Sequence, residues 1–348
     1  MTFIVPTFLP FDPDLAGRLE ARVAGKAKPP GSLGRIEALA VQIGLIQGTE
    51  TPKVGAVDAY VFAGDHGMNA DGVSAYPSAV TTAMVATFLA GRASVNAFAG
   101  ACDVAVRVVD AGVDADLPAH PSLVGAKVRR GTRNAAAEPA LTADELDLAL
   151  TQGAEIARRS DADALVLGEM GIGNTASAAL IMHRLAPAAL VDCIGAGAGH
   201  DPEGLARKRA VLERAAARSA ADQPLEVLRE FGGLEIAMMT GACLGGAAAG
   251  KVVIVDGFIS SAAALAAIRL APGLEDRLVF AHVSAERGHR LMLQAIGAEP
   301  LLDLGMRLGE GSGGVLAAPL VRAAARLMTE TASLDEVLSG AVAQEGTA

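Results

Sequence analysis

The chain has no Trp, two Tyr and only 3% aromatic residues. That argues against the stacking platforms with which proteins hold single-stranded nucleic acid. Positive charge is also short: 29 Lys and Arg stand against 39 Asp and Glu, for a formal net charge of −10. A chain of that sign is a poor nonspecific binder of DNA, RNA or anionic membrane, so no nucleic-acid or membrane partner is expected. A local cradle for a small anion remains compatible with it. The three cysteines, Cys102, Cys193 and Cys243, are odd in number, widely separated and without a CxxC spacing. They suggest neither a disulfide framework nor a zinc site, and each reads as a small buried hydrophobe. The most apolar stretch, Thr240 to Ala267, is broken by Lys251 and Asp256 and is full of Gly, so it does not read as a membrane span. Met1 to Pro10 lacks the basic start of a signal peptide. The expected location is the cytoplasm.

What is present is aliphatic bulk. Apolar residues make up 51% of 348 residues, enough for one large α/β domain with or without a smaller appendage. Six short apolar runs read as strands: Ala56–Phe62, Val104–Val109, Ala164–Leu167, Leu190–Ile194, Val252–Val255 and Leu278–Ala281. They are mostly continuous, as strands covered on both faces should be. Helical patterns separate them, at roughly Ser78–Ala99, Thr142–Ser160, Thr175–Leu185, Pro202–Ala217, Ser260–Leu270 and Glu286–Ile296. Alternating strand and helix predicts an α/β fold: a doubly wound, mostly parallel six-stranded sheet of Rossmann-like type. The ends of the chain lack strand signals. The expected division is a large domain over 50–297 and a small helical domain from 1–49 plus 298–348. Asp114–Pro139 reads as an extended surface excursion.

Polar or glycine-rich text follows nearly every run, and in open α/β sheets ligands bind at the carboxyl ends of the strands. Two loops stand out. In Gly168-Glu169-Met170-Gly171-Ile172-Gly173-Asn174-Thr175 an apolar run leads through glycines into a small-residue helix. Free N–H groups and the helix dipole make such a unit an anion cradle, here for a phosphate or ribose with Glu169 facing the sugar. The plainer reading is a tight turn with a solvated Glu. No Gly-Lys-Ser/Thr follows, so this is not a P-loop. In Leu308-Gly309-Glu310-Gly311-Ser312-Gly313-Gly314 the glycines let a turn fold over a ligand. A carboxylate shielded there would have a raised pKa and be a better base near neutral pH. The plainer reading is a helix cap with an incidental Glu.

Weaker signals surround these two. Gly195-Ala196-Gly197-Ala198-Gly199 is glycine-patterned but lacks the dinucleotide fingerprint. Lys208, in Arg207-Lys208-Arg209, reads either as a phosphate contact or as part of a solvated basic face. Asp65-His66 reads as a hydrogen-bonded structural pair rather than a metal or acid–base site. Ser284 is placed to donate to a phosphate. A metal site from His282 and His289 is disfavoured. Ser74-Ala75-Tyr76-Pro77 reads as a pocket wall or an ordinary helix cap.

Taken in order, Lys28–Gly34 (KPPGSLG), Ala63–Pro77 (AGDHGMNADGVSAYP), Gly168–Thr175 (GEMGIGNT), Phe231–Ile236 (FGGLEI), Val255–Ser260 (VDGFIS) and Leu308–Gly313 (LGEGSG) resemble the nicotinate-nucleotide–dimethylbenzimidazole phosphoribosyltransferase family. The resemblance runs nearly end to end. It implies transfer of phosphoribose from nicotinate mononucleotide to 5,6-dimethylbenzimidazole, with inversion at the anomeric carbon, in cobalamin lower-ligand assembly. The products are nicotinate and α-ribazole 5′-phosphate. It implies that Glu310 is the general base and Glu169 the acid group near the ribose. Gly171, Gly173, Asn174, Lys208 and Ser284 are then the phosphate and ribose contacts, and Ser74, Tyr76, Met170 and Leu308 the base pocket. It implies a homodimer. No cofactor and no metal are expected. The alternative is a non-catalytic sensor or carrier of a nucleotide or benzimidazole; an α/β phosphotransferase is weaker still. Two departures stand out. Many relatives carry Gln where Ala83 stands in Val80-Thr81-Thr82-Ala83-Met84-Val85, which bears on the choice of base. Relatives also often have Arg and Thr within the 195–199 loop, which leaves a backbone role there.

Overall fold

The structure is a computed structural model that describes residues 3–342 apart from 196, 198 and 200. The strands are β1 (Val57–Gly64), β2 (Ala105–Gly112), β3 (Leu123–Gly125), β4 (Ala164–Met170), β5 (Val252–Val255) and β6 (Leu278–Phe280). All pairs are parallel, in the order β3-β2-β1-β4-β5-β6. Before the sheet come α1 (Pro13–Ala24) and α2 (Arg35–Gln47). Between its strands lie α3 (Ala79–Leu89), α4 (Ser94–Cys102), α5 (Ala143–Arg159), α6 (Asn174–Leu185), α7 (Leu190–Cys193), α8 (Pro202–Arg218), α9 (Pro224–Phe231), α10 (Leu234–Ala248) and α11 (Phe258–Leu270). After it come α12 (His289–Ile296), α13 (Ser312–Glu330) and α14 (Leu334–Leu338).

The sheet is buried on both faces, which is why its strands read as continuous apolar text. Alternation still decides which face each side chain serves. Leu165 and Leu167 pack with α5, α6, α10 and α11 in one core, while Ala164 and Val166 pack with α2, α4 and α13 in the other. The stretch that did not read as a membrane span supplies α10 and α11, the tightly packed middle of the first core. A Cβ on Gly153, Gly241 or Gly245 would overlap the backbone of the facing helix, so α5 and α10 meet backbone to backbone. Among the described residues no helix is long and apolar enough to cross a membrane. The two chain ends meet through Ala27 N–H to the Ala332 carbonyl and Leu334 N–H to the Gly25 carbonyl, both 2.9 Å.

The fold class agrees with the sequence, and four local expectations change. Leu190–Ile194 is not a strand: Leu190–Cys193 is the short helix α7. Asp192 falls in that run, and a charged residue does not suit a strand covered on both faces. The sixth strand is instead β3, within the segment expected to be a surface excursion. At three residues, it is too short to show a period. Ser78–Ala99 is two helices, parted at Gly91, where φ is +70°. Finally, β4 extends through Met170, so Glu169 projects from the end of a strand and the loop proper is Gly171–Gly173.

Candidate active site

The sheet order reverses between β1 and β4, and the crevice at that switch point holds the site. The register pairs Phe62 with Glu169 and Ala63 with Met170, which fixes where β4 ends against β1. From there the chain turns through Gly171 and Gly173 into the N-terminus of α6. Gly173 has φ of +99°, a conformation open to glycine but costly for other residues. The cleft has a volume of about 400 Å³, within the range of small-ligand sites.

Glu169, Met170, Gly171, Gly173 and Asn174 line this cleft, as do Ser74, Tyr76, Ser284, Leu308 and Glu310. Every candidate residue but Lys208 therefore borders one space. Tyr76 and Leu308 stand at its mouth, 47% and 53% exposed. Lys208 lies behind the wall, fully buried, and its ammonium donates to Thr175 Oγ1 at 2.9 Å and the Gly195 carbonyl at 3.1 Å. Burial pushes that ammonium down to about 8. Thr175 lines the cleft, so Lys208 is one hydroxyl away from it. Of the 195–200 stretch, Ala196, Ala198 and His200 lie outside the described residues. Arg307 donates to the Gly197 carbonyl at 3.3 Å, joining that stretch to the turn that carries Glu310.

Glu310 is buried and sits in a run of three left-handed residues, with φ of +87°, +65° and +84° at Gly309, Glu310 and Gly311. A non-glycine residue in that region carries strain of about 1–2 kcal/mol, so the surroundings must hold it there. Asp256, which follows β5, does so. Its carboxylate accepts the Gly311 N–H at 3.2 Å and the Gly314 N–H at 2.8 Å, satisfying the start of α13. A Cβ on Gly168 would press on Gly311 N and on the Glu310 carbonyl, so glycine is required where β4 passes the turn.

Four acidic residues line the cleft, Glu169, Asp256, Glu286 and Glu310, and three of them, Glu169, Asp256 and Glu310, are buried. Burial pushes the Glu169 carboxyl up to about 8; the Asn174 amide, which donates to it, opposes this, and Asp256, Glu235 and Glu310 add to it. Burial also raises Asp256, against the pull of His282 and the backbone N–H groups of α13. Glu310 is raised by burial, opposed by the Val95 N–H and reinforced by Asp256. A site of this kind favours a cationic ligand or a cationic transition state and holds a carboxylate that readily takes a proton.

His66 pairs with Glu235 and Ser177 rather than with Asp65, its expected partner. His289 spends one ring nitrogen on Ser261 Oγ and accepts the Ser284 N–H with the other. Among the described residues no group of three or more His, Cys, Asp or Glu is placed to hold a metal ion. Sequence reasoning passed over Asp256, Thr175 and Arg307 as site residues. For Asp256 the signal was available: an acid directly after a buried parallel strand and before a glycine.

Buried carboxylates beside a glycine loop at a helix N-terminus, in one cleft, suit an enzyme of the phosphoribosyltransferase class. A phosphoribosyltransferase family model matches residues 9–337. The relative from Ralstonia nicotianae, named nicotinate-nucleotide–dimethylbenzimidazole phosphoribosyltransferase, is 54% identical and covers 93% of each chain. That from Cupriavidus necator, of the same name, is 51% identical over 94% of this chain and 96% of its own. The crystal structure of CobT from Thermus thermophilus superimposes with a TM-score of 0.90 at 45% identity, over 93% of this chain and 98% of that one. The chain belongs to the nicotinate-nucleotide–dimethylbenzimidazole phosphoribosyltransferase family.

Proposed function

We infer that this chain transfers phosphoribose from nicotinate mononucleotide to 5,6-dimethylbenzimidazole, with Glu310 as the base. One observation supports the assignment above others: a buried carboxylate, held in a strained turn by Asp256, borders the same cleft as the N-terminus of α6. The chemistry asks for one such group. Nicotinate is a pyridinium in the donor, so it leaves as a neutral ring nitrogen and needs no acid. The entering benzimidazole attacks with one nitrogen and must lose the proton on the other, and Glu310 accepts it. Attack from the face opposite the departing ring inverts the anomeric carbon. The sugar passes through an oxocarbenium-like state, as in glycosyl transfer generally. Glu169, kept protonated near neutral pH by its burial, holds the ribose hydroxyls by hydrogen bonds, and Gly171, Gly173 and Asn174 hold the phosphoribose.

Lys208 acts on the phosphate through Thr175, and Ser284 donates to it. Tyr76, Ser74, Met170 and Leu308 frame the base. On α3, Val80 and Met84 line the cleft while Ala83 is exposed, so the absence of the relatives' Gln bears on the rim of that pocket. We propose further that the protein works as a homodimer in the cytoplasm. The terminal segments 1–49 and 298–348 serve as its small helical domain, a reading supported by the pairing of the two chain ends. Incubation with nicotinate mononucleotide and a panel of bases, with products identified by mass, tests the function. Nicotinate released in step with an α-ribazole phosphate supports it. Ligand binding without nicotinate release overturns it.

A further inference from the structure

The Asp65-His66 motif takes no direct part in the chemistry above, yet it lies beneath the site. His66 and Glu235 are both fully buried at the side chain and joined by a 2.6 Å contact from Nε2 to Oε1. The other ring nitrogen, Nδ1, is 3.0 Å from Ser177 Oγ in the first turn of α6. Glu235 stands in the first turn of α10. The pair therefore ties the end of β1 to the starts of two helices.

Four glycines close around this pair. A Cβ on Gly233 would fall 2.5 Å from both Glu235 Oε2 and His66 Cε1, and one on Gly64 would fall 2.9 Å from Glu235 Oε2. The other two belong to the loop at the switch point. A Cβ on Gly173 would lie 3.3 Å from His66 Cβ, and one on Gly171 would lie 3.4 Å from Glu235 Oε1. So the underside of the Gly171–Gly173 loop rests on the His–Glu pair. From another side, the buried Thr81 hydroxyl accepts the Ile172 N–H at 3.1 Å. The N–H groups a phosphate needs are useful only if they are already aimed. A buried charged pair is a costly way to gain stability alone, since desolvation offsets its attraction.

We propose that His66 and Glu235, together with Ser177, are positioning residues that hold the Gly171–Asn174 loop in its phosphoribose-binding shape. The inference rests on that loop being the donor's cradle. Loosening the pair then weakens the donor far more than the base, because the base pocket touches this segment only at Met170, which the β4 pairing holds, and is otherwise built from Ser74, Tyr76 and Leu308.

The test uses the full-length variants Glu235→Gln and Ser177→Ala. Glu235→Gln should raise KM for nicotinate mononucleotide at least about fivefold, the loss expected from one preorganising hydrogen bond. KM for the benzimidazole should stay within about twofold, the scatter of an uncoupled site. Ser177→Ala removes one hydroxyl and should move the same constant in the same direction. It carries the test if the charge variant does not fold. Equal changes in both KM values, or none in either, overturn the proposal. Hydrogen exchange of the wild type separates the two layers. If nicotinate mononucleotide protects the amides of 171–175 while donor KM is unmoved in both variants, the positioning role alone fails. If it does not protect them, the cradle reading fails and takes the positioning role with it.

Discussion

The Glu310 carboxylate accepts a hydrogen bond from the Val95 N–H at 3.3 Å, at the N-terminus of α4. Two influences meet there. The helix end and its N–H favour the ionised form, while burial and the neighbouring Asp256 favour the protonated one. Burial prevails, and the group is raised above the ordinary 4.5 of a glutamate. A base must be unprotonated to act, so activity falls as pH drops through its pKa. The acid limb of kcat/KM should therefore centre above 4.5. A pH–rate profile checks this, and a limb at or below the ordinary carboxylate value would contradict it.

Asp256 is the second point at which the turn is held. Asn at 256 keeps the size but presents an NH2 group to one of the two backbone N–H donors at Gly311 and Gly314. Leaving one buried donor unpaired costs about 1–3 kcal/mol. We expect Asp256→Asn to lower the melting temperature and to slow nicotinate release, since Glu310 is no longer held in its left-handed conformation. Thermal melts and initial rates on the same preparation test both. Wild-type turnover in a normally folded variant would show that the clamp is not needed.

Glu169 gives a prediction about stability. Its carboxyl is raised from 4.5 to about 8 in the folded chain, so between those values the native state holds a proton that the unfolded state has lost. Stability contributed by this group is complete below pH 4.5 and is lost as pH rises toward 8. Glu169→Gln, which cannot ionise, should gain on the wild type across that window, on the order of 4–5 kcal/mol by its upper end. Denaturant melts of both proteins at several pH values measure the gap. A gap that stays constant with pH would refute the buried-acid description.

The sequence showed much of this site because glycine spacing is local. Gly168–Thr175 and Gly309–Gly314 each announce a close backbone approach within a few residues, and the two indeed meet where Gly168 passes the Glu310 turn. What was not legible depends on distance along the chain. His66 and Glu235 are 169 positions apart, and nothing near either one points to the other. Leu190–Cys193 has strand-like composition but carries Asp192 and forms a short helix, whereas Leu123–Gly125 takes an edge position but has too few residues to show a pattern. α10 is buried on nearly every side, so it lacks the polar stripe by which an amphipathic helix is recognised. Lys208 read equally well as part of a solvated basic face, because only the fold shows that its two Arg neighbours point outward while it points in.

The central claim is that Glu310 takes the proton from the incoming base, and Glu310→Gln tests it most directly. The amide preserves shape and can still accept from Val95. Measured with nicotinate mononucleotide and 5,6-dimethylbenzimidazole, the variant should release nicotinate at least about 100-fold more slowly, the scale of a lost general base. It should still bind nicotinate mononucleotide as the wild type does. Full turnover in the folded variant would contradict the account.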